Sequence, residues 1–169
     1  RGSPRRAPGG GTARAPRRRL QLGCRKYNRR GRRLAFPVPS GTAATAGQAP
    51  VRTFYELDAS SGFFGPAPDY FGTEMIRIAG GDPLTSGTPG VYQIEAEQIL
   101  SFDPEVILLG DAAYGVTPEQ VAARPGWDTL SAVQNDAVRP IDDVIVTRPG
   151  PRLAAGIRAL ALAINPGLV

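Results

Sequence analysis

The sequence contains no histidine and a single cysteine, Cys24. Without histidine, the chain lacks the commonest general base and the commonest protein ligand of metals. A single cysteine allows neither an intrachain disulfide nor a cysteine-based metal cluster. Apolar runs are also short, because none approaches the roughly 18 residues that a membrane-spanning helix needs. These absences argue against a metal cluster, a disulfide scaffold and a membrane span in this sequence.

Acidic residues are missing from the first part of the chain. Residues 1–50 contain 13 of the 20 Lys and Arg residues and no Asp or Glu. Residues 51–169 hold the other 7 basic residues and all 15 acidic ones, a formal charge of −8 (7 minus 15). The net charge of +5 therefore describes neither part, and any nucleic-acid interaction would depend on the first part alone.

The first fifty residues are rich in Arg, Gly, Pro and Ala and have few large apolar side chains. Such a segment cannot bury enough surface to offset its ordering entropy, which predicts a disordered basic leader, native or artefactual. Two other interpretations stay open. The Arg clusters favour nonspecific contact with polyanions. "RRGRRLAF" and "LQLGC" resemble export and lipoprotein signals, but their apolar regions are too short or absent.

From Val51 onward, strand patterns alternate with helix patterns. Three segments have the composition of strands: "VRTFYEL", "EVILLG" and "AVRPI". Four have helical spacing or capping signals: "DYFGTEMIRIAGG", "QIEAEQILSF", "TPEQVAAR" with Thr117 as its N-cap, and "PGPRLAAGIRALALAINP". Three are predicted as irregular: "ASSGFFGPAP", "DPLTSGTPGVY" and "DDVIVTR". This order predicts an α/β domain over residues 51–169, a Rossmann-like three-layer lobe with a small, mainly parallel sheet. Ligands of such sheets bind beyond the carboxyl ends of the strands.

The order of these segments resembles the second lobe of the binding proteins that serve ABC importers of iron siderophores, haem and vitamin B12. The matching stretches are "DYFGTEMIRIAGG", "GVYQIEAEQILSFDPEVILLGD", "RPGWDTLSAVQNDAVRPID" and "RPGPRLAAGIRALALAINP". The resemblance covers nearly all of residues 51–169. It implies one of two α/β lobes that a long helix joins, with the ligand held in the cleft between them.

The resemblance also implies which residues contact the ligand. The family often places an aromatic residue on the cleft wall where this sequence has Phe63 and Phe64, and an aromatic ring stacks on a flat ligand. Six further expected contacts lie in other loops: Val91, Tyr92, Tyr114, Asp143, Thr147 and Arg148. Arg148 suits a carboxylate or an anionic chelate. Trp127 is expected in the core.

By the same resemblance, the protein captures its ligand outside the cytoplasmic membrane, in a periplasmic or membrane-associated extracytoplasmic location. It delivers the ligand to ABC permease subunits, with no chemistry and no cofactor. A glutamate of each lobe docks onto arginines of the permease, and Glu97 matches it here, with Glu95 as the alternative. The ligand is a metal chelate or a corrinoid; siderophore, haem and corrinoid stay open, with ferric siderophore or corrinoid preferred.

The family's first lobe and connecting helix have no counterpart in this sequence. We therefore expect this chain alone to bind ligand weakly or not at all. We also expect the face that a first lobe covers in the family to favour self-association.

Two other classes of function stay open. One is a fragment of a doubly wound enzyme. Against it, the Gly-containing loops "GDAAYG" and "IAGGDP" form neither a G-x-G-x-x-G motif nor a P-loop, and residues 51–169 contain no Lys. The other is an Arg-rich protein that binds polyanions or nucleic acid. The acidic residues 51–169 argue against specific nucleic-acid recognition.

Overall fold

The computed structural model of the protein describes residues 48–148 and 150–167, which lie in one compact unit. The predicted leader, apart from residues 48–50, falls outside the described residues, as do both signal-like stretches. The leader and the domain boundary at residue 51 therefore stay predictions. Strand β1 begins at Val51, where the composition of the sequence changes.

Six strands form two sheets. Their bounds are β1 (Val51–Glu56), β2 (Phe63–Phe64), β3 (Gly81–Pro83), β4 (Gln93–Ile94), β5 (Val106–Leu109) and β6 (Val138–Pro140). Four of them form a parallel sheet in the order β3-β1-β5-β6, while β2 and β4 pair antiparallel in a separate ribbon. All four residues of β5 are buried, as expected for a parallel strand with both faces covered.

Six α-helices connect or follow the strands in the described part of the chain. Their bounds are α1 (Phe71–Ile78), α2 (Ala96–Phe102), α3 (Pro118–Ala122), α4 (Ser131–Gln134), α5 (Asp143–Thr147) and α6 (Leu153–Ile164). Short 3₁₀ turns cover Ala112–Tyr114 and Trp127–Thr129. The predicted N-cap of α3 is confirmed, because the hydroxyl of Thr117 accepts a hydrogen bond from the backbone N–H of Gln120 at 3.3 Å.

The side chains of β1 show how the layers are arranged. The ring of Phe54 lies 6.3 Å from the ring of Trp127, whereas the hydroxyl of Tyr55 donates to Asp143 in α5 at 2.8 Å. Successive side chains of a strand point to opposite faces, so Trp127 and α5 cover opposite faces of the sheet. Helices α1, α5 and α6 pack together, and α3 and α4 pack beside the Trp127 turn. The three-layer α/β prediction is confirmed.

Three segments that were predicted as irregular contain regular structure, so those predictions were wrong. "ASSGFFGPAP" contains β2, and "DPLTSGTPGVY" begins inside β3. Strand β3 consists of Gly, Asp and Pro, which are depleted in strands, and it forms because it pairs with β1 at the edge of the sheet, where proline is tolerated. "DDVIVTR" contains α5, whose start is capped by the Asp142 carboxylate accepting from the N–H of Val144 at 3.0 Å.

Gly156 lies where α6 crosses α5 and α1. A Cβ at this position would lie 2.7 Å from the carbonyl oxygen of Ile145 and 2.9 Å from Cε of Met75. We expect Gly156→Ala to lower the free energy of unfolding by about 1–3 kcal/mol, because overpacking exceeds the gain of about 1 kcal/mol in helix propensity. Urea unfolding followed by Trp127 fluorescence measures the change. Gly150→Ala is the control, since a Cβ there meets no heavy atom within 4 Å. Equal effects of the two substitutions would contradict the prediction.

Candidate functional site

A pocket opens at the carboxyl ends of β1 and β5. Its volume is about 450 Å³, and its polar and aromatic lining comprises Asp58, Ser60, Asp111, Tyr114, Gln120 and Arg124. Gly110 allows β5 to end close against β1, because a Cβ there would lie 2.8 Å from the ring of Tyr55 and 2.9 Å from the carbonyl oxygen of Glu56. Ligands of parallel α/β sheets bind at this edge, so the pocket is the candidate site.

A buried ion pair between Glu56 and Arg124 lies next to this pocket. Glu56, the last residue of β1, is 0% exposed, and its carboxylate accepts two hydrogen bonds from the guanidinium of Arg124. The Nη1–Oε2 and Nη2–Oε1 distances are 2.5 and 2.8 Å. This two-bond geometry is the strongest form of an Arg–carboxylate contact, and it compensates the cost of burying the glutamate. The pair holds Arg124, two residues after the end of α3, against the end of β1.

Two aromatic rings contact the same guanidinium. Its central carbon lies 4.6 Å from the ring centroid of Trp127 and 5.2 Å from that of Phe63. The two rings lie 5.0 Å apart. Cations are attracted to the faces of aromatic rings, so these contacts add to the ion pair. Trp127 is 1% exposed, which confirms its predicted place in the core, while Phe63 is half-buried between the core and the surface.

Asp111 lies two residues after the end of β5 at the pocket wall, and the charge of Arg124 compensates its burial only in part. Its side chain is 4% exposed, and neither carboxylate oxygen has a hydrogen-bond partner among the described residues. Burial raises the pKa of Asp111 to about 6, and the negative charge of Glu56 contributes to that increase. Buried polar atoms are almost always hydrogen-bonded, so an unpartnered carboxylate beside a pocket is a candidate functional residue.

A second polar cluster lies across the sheet, on α5. The Asp143 carboxylate accepts from the hydroxyl of Tyr55 at 2.8 Å and from the hydroxyl of Thr147 at 3.2 Å. Burial raises the pKa of Tyr55 well above its usual range, and the adjacent Asp143 raises it further. Asp143 and Thr147 thus hydrogen-bond to each other, and Asp143 also bonds to β1. Their role as ligand contacts stays a prediction. Arg148 is exposed and follows α5 directly.

The other predicted ligand contacts lie nearer the surface. Tyr114 is 85% exposed in the 3₁₀ turn at the pocket, and Phe64 is half-buried in β2. Val91 and Tyr92 are exposed just before β4, and the ring of Tyr92 lies 5.9 Å from the ring of Tyr70. Five of the eight predicted contacts thus fall into two groups: Phe63 and Tyr114 near Arg124, and Tyr92, Asp143 and Thr147 around Tyr70.

The two predicted docking glutamates lie at the start of α2. Both are exposed. Glu95 is the N-cap residue of α2, and its backbone N–H donates a hydrogen bond to the side chain of Gln98 at 2.9 Å. Glu97 lies in the first turn of the helix, on the surface. The preference for Glu97 stays a prediction.

Sequence reasoning missed three residues at the pocket: Glu56, Arg124 and Asp111. A charged residue at a buried position of the strand "VRTFYEL" was the available signal for Glu56. For Asp111, the signal was its place directly after the apolar run of β5. Arg124 gave no local signal, because its contact with Glu56 spans 68 residues of sequence.

Residues 48–148 and 150–167 lack two other features. They contain no cluster of three or more His, Cys, Asp or Glu side chains suited to a metal ion. Within the same residues, every helix is too short or too polar to cross a membrane.

Arg124→Met removes the charge that compensates Glu56. We expect the free energy of unfolding to fall by about 3–5 kcal/mol, because a carboxylate then lies buried without a partner. Arg158→Met, on the exposed face of α6, is the control and should change it by less than about 0.5 kcal/mol. Replacing both members of the pair, as Glu56→Leu with Arg124→Met, should recover much of the loss. A double variant as unstable as Arg124→Met alone would contradict this account.

Asp111→Asn should change the pH dependence of stability. The pKa of Asp111 is raised in the folded state, so folding favours its protonated form, and stability falls as the pH rises from about 4 to about 6. Asparagine lacks this titration. Relative to the original chain, we expect the variant to gain about 1–3 kcal/mol at alkaline pH and nothing below pH 4. Urea unfolding across this range measures it, with the exposed Asp82→Asn as control. A gain that is the same at all pH values would contradict the prediction.

Comparison with known proteins places this geometry in a family. The chain is 31% identical over 113 residues to the uncharacterized ABC transporter substrate-binding lipoprotein YvrC of Bacillus subtilis (strain 168), which covers 67% of this chain and 35% of that protein. The periplasmic vitamin B12 binding protein BtuF of Vibrio cholerae is similar in structure, with a TM-score of 0.60 and 25% identity over 75% of this chain and 49% of that one. The periplasmic heme-binding protein BhuT, in complex with two hemes, has a TM-score of 0.67 and 23% identity over 78% and 51%.

The chain therefore spans about a third of the length of the curated relative and about half of each solved structure. A sequence model described as periplasmic binding protein matches residues 29–144, more than half of the chain. That match begins within the predicted leader and includes the pocket, the ion pair and Asp111. The protein belongs to the periplasmic binding protein family.

Proposed function

We propose that the chain is the substrate-binding component of an ABC importer, which captures a ferric siderophore or a corrinoid and delivers it to a permease. The observation that supports this most directly is the pocket at the carboxyl ends of β1 and β5, in a chain that belongs to a family of binding proteins. A relative that is 31% identical over 113 residues is itself described as an ABC transporter substrate-binding lipoprotein. The activity consists of binding and release, with no reaction on the ligand.

In this proposal the described lobe supplies one wall of the ligand cleft. Tyr114 stands exposed at the pocket, and Phe63 presents a half-buried ring beside Arg124. Flat ligands gain from stacking on aromatic rings, and each such contact contributes about 1 kcal/mol beyond the buried area. Tyr92 and Arg148, both exposed, form the remaining part of the wall. A second lobe supplies the opposite wall.

The permease contact falls on a different part of the surface. Glu97 in the first turn of α2 is exposed and docks onto a cationic group of the permease. Such a contact orients the complex and speeds association more than it adds affinity. The protein works outside the cytoplasmic membrane, where its ligand arrives.

Titration calorimetry of the full chain tests the function with three ligands: a ferric trihydroxamate chelate, haem and cyanocobalamin. Because the described lobe has a pocket of its own, the expectation of weak or absent binding narrows to weak binding. We expect saturable binding of one ligand class, weaker than about 1 µM, because one wall buries only part of a ligand that an enclosing site buries by about 70–90%. Tyr114→Ala should weaken it roughly fivefold. Leu162→Ala, on the exposed face of α6, is the control and should leave it unchanged.

Each result has a distinct meaning. Submicromolar affinity of this chain would contradict the need for a second wall. Unchanged affinity in Tyr114→Ala would contradict the position of the wall. The absence of saturable binding with all three ligands, up to their solubility, would contradict the proposed function.

A further inference from the structure

The charges around the pocket are unbalanced. Asp58, Asp111 and Arg124 line it, and Glu56 lies beneath it. Both terminal nitrogens of Arg124 already donate to Glu56, so the one cation of this lining is used within the pair. Two carboxylates, Asp58 and Asp111, remain without a cation among the described lining residues.

These two carboxylates differ in their hydrogen bonds. Asp58 is exposed, and its carboxylate accepts from the N–H and the hydroxyl of Ser60, each at 3.0 Å. Asp111 is almost completely buried, and its two oxygens accept nothing from the described residues. A buried carboxylate gains stability mainly from a partner charge or from donors. For Asp111, the charge of Arg124 offsets only part of the cost of burial and of the repulsion by Glu56. The remaining compensation is left to a group that enters the pocket.

We propose that this pocket is a subsite selecting a ligand group that carries N–H donors and is cationic or neutral, and rejecting carboxylates. The proposal rests on the proposed function, since it names the chemistry of the ligand in that cleft. It favours hydroxamate chelates with a free ammonium group and corrinoids with amide side chains. It disfavours chelates built from carboxylates and the propionates of haem.

The selection acts through the field of Asp111. Two unit charges about 4 Å apart attract each other more strongly in the pocket, where the effective dielectric constant is lower, than in water. The groups facing Asp111 are Glu56 and Tyr55 from β1, Asp58 after β1 and Arg124 after α3. The pKa of Tyr55 is raised by burial, so it keeps its proton at neutral pH. A cation in the pocket therefore binds more tightly when Asp111 is ionised.

Three small probes of nearly equal shape test the subsite independently of any natural ligand: butylammonium, butyramide and butyrate. Each is titrated to tens of millimolar into the ¹⁵N-labelled full chain, and the amide shifts of residues 58–60 and 111–116 are followed by NMR. We expect the affinity order butylammonium, butyramide, butyrate at pH 7.5. Between about pH 5 and about pH 7.5 the ionised fraction of Asp111 rises about tenfold, from its pKa of about 6. The affinity for butylammonium should rise by the same factor.

Asp111→Asn should abolish both the pH dependence and the preference for butylammonium over butyramide. Asp82→Asn, which removes the same charge from the exposed surface of β3, should retain both. Butyrate binding as tightly as butylammonium, a preference that survives in Asp111→Asn, or no shift with butylammonium would each overturn the proposal. The proposed function fails separately, when the chelates and the corrinoid do not bind but the probes still show this order.

Discussion

The carboxyl end of β1 buries a glutamate, and the packing around it is organised to compensate that one charge. Arg124 donates two hydrogen bonds to Glu56 and lies against the rings of Phe63 and Trp127. Burying an ion pair costs desolvation, so its net contribution to stability is small, whereas its geometry is demanding. Here it defines where the segment after α3, the Trp127 turn and the β2 ribbon contact the sheet. The pair therefore specifies the position of the pocket wall more than it stabilises the fold.

Two aspartates that flank β5 show how differently the chain treats carboxylates. Asp103, before the strand, accepts from the N–H and hydroxyl of Ser131 and from Arg52, and these hydrogen bonds lower its pKa. Asp111, after the strand, accepts nothing from the described residues, and burial raises its pKa. Asp103 holds the start of α4 at the amino end of the sheet through its hydrogen bonds to Ser131, so its role is structural. Asp111 occupies the edge where ligands bind, and its missing partner is a cost to stability that a binding role explains.

The local sequence pattern was sufficient to predict the strands and helices that bury an apolar face. β1, β5, α6 and the Thr117 cap followed from composition, periodicity and capping rules, because each is determined by residues close in sequence. Strand β3 and helix α5 were missed, since pairing with β1 and packing on α6 override their weak or contrary propensities. The pocket charges were missed for a related reason. Glu56 and Arg124 meet only after the chain has folded, and one sequence cannot show a contact between residues so far apart.

The same long-range dependence connects the fold to its function. Because Glu56 ends β1 and Asp111 lies two residues after the end of β5, the register Glu56↔Leu109 sets the spacing of the two carboxylates. Arg124 donates both of its terminal N–H groups to the first carboxylate, so at the second its charge offsets only part of the cost of burial. The folded lobe thus places two carboxylates, Glu56 and Asp111, near one guanidinium, that of Arg124. In the proposed subsite, a ligand with N–H groups donates hydrogen bonds to Asp111, as Arg124 does to Glu56. Ligand binding then compensates a buried carboxylate that the folded lobe leaves without hydrogen bonds.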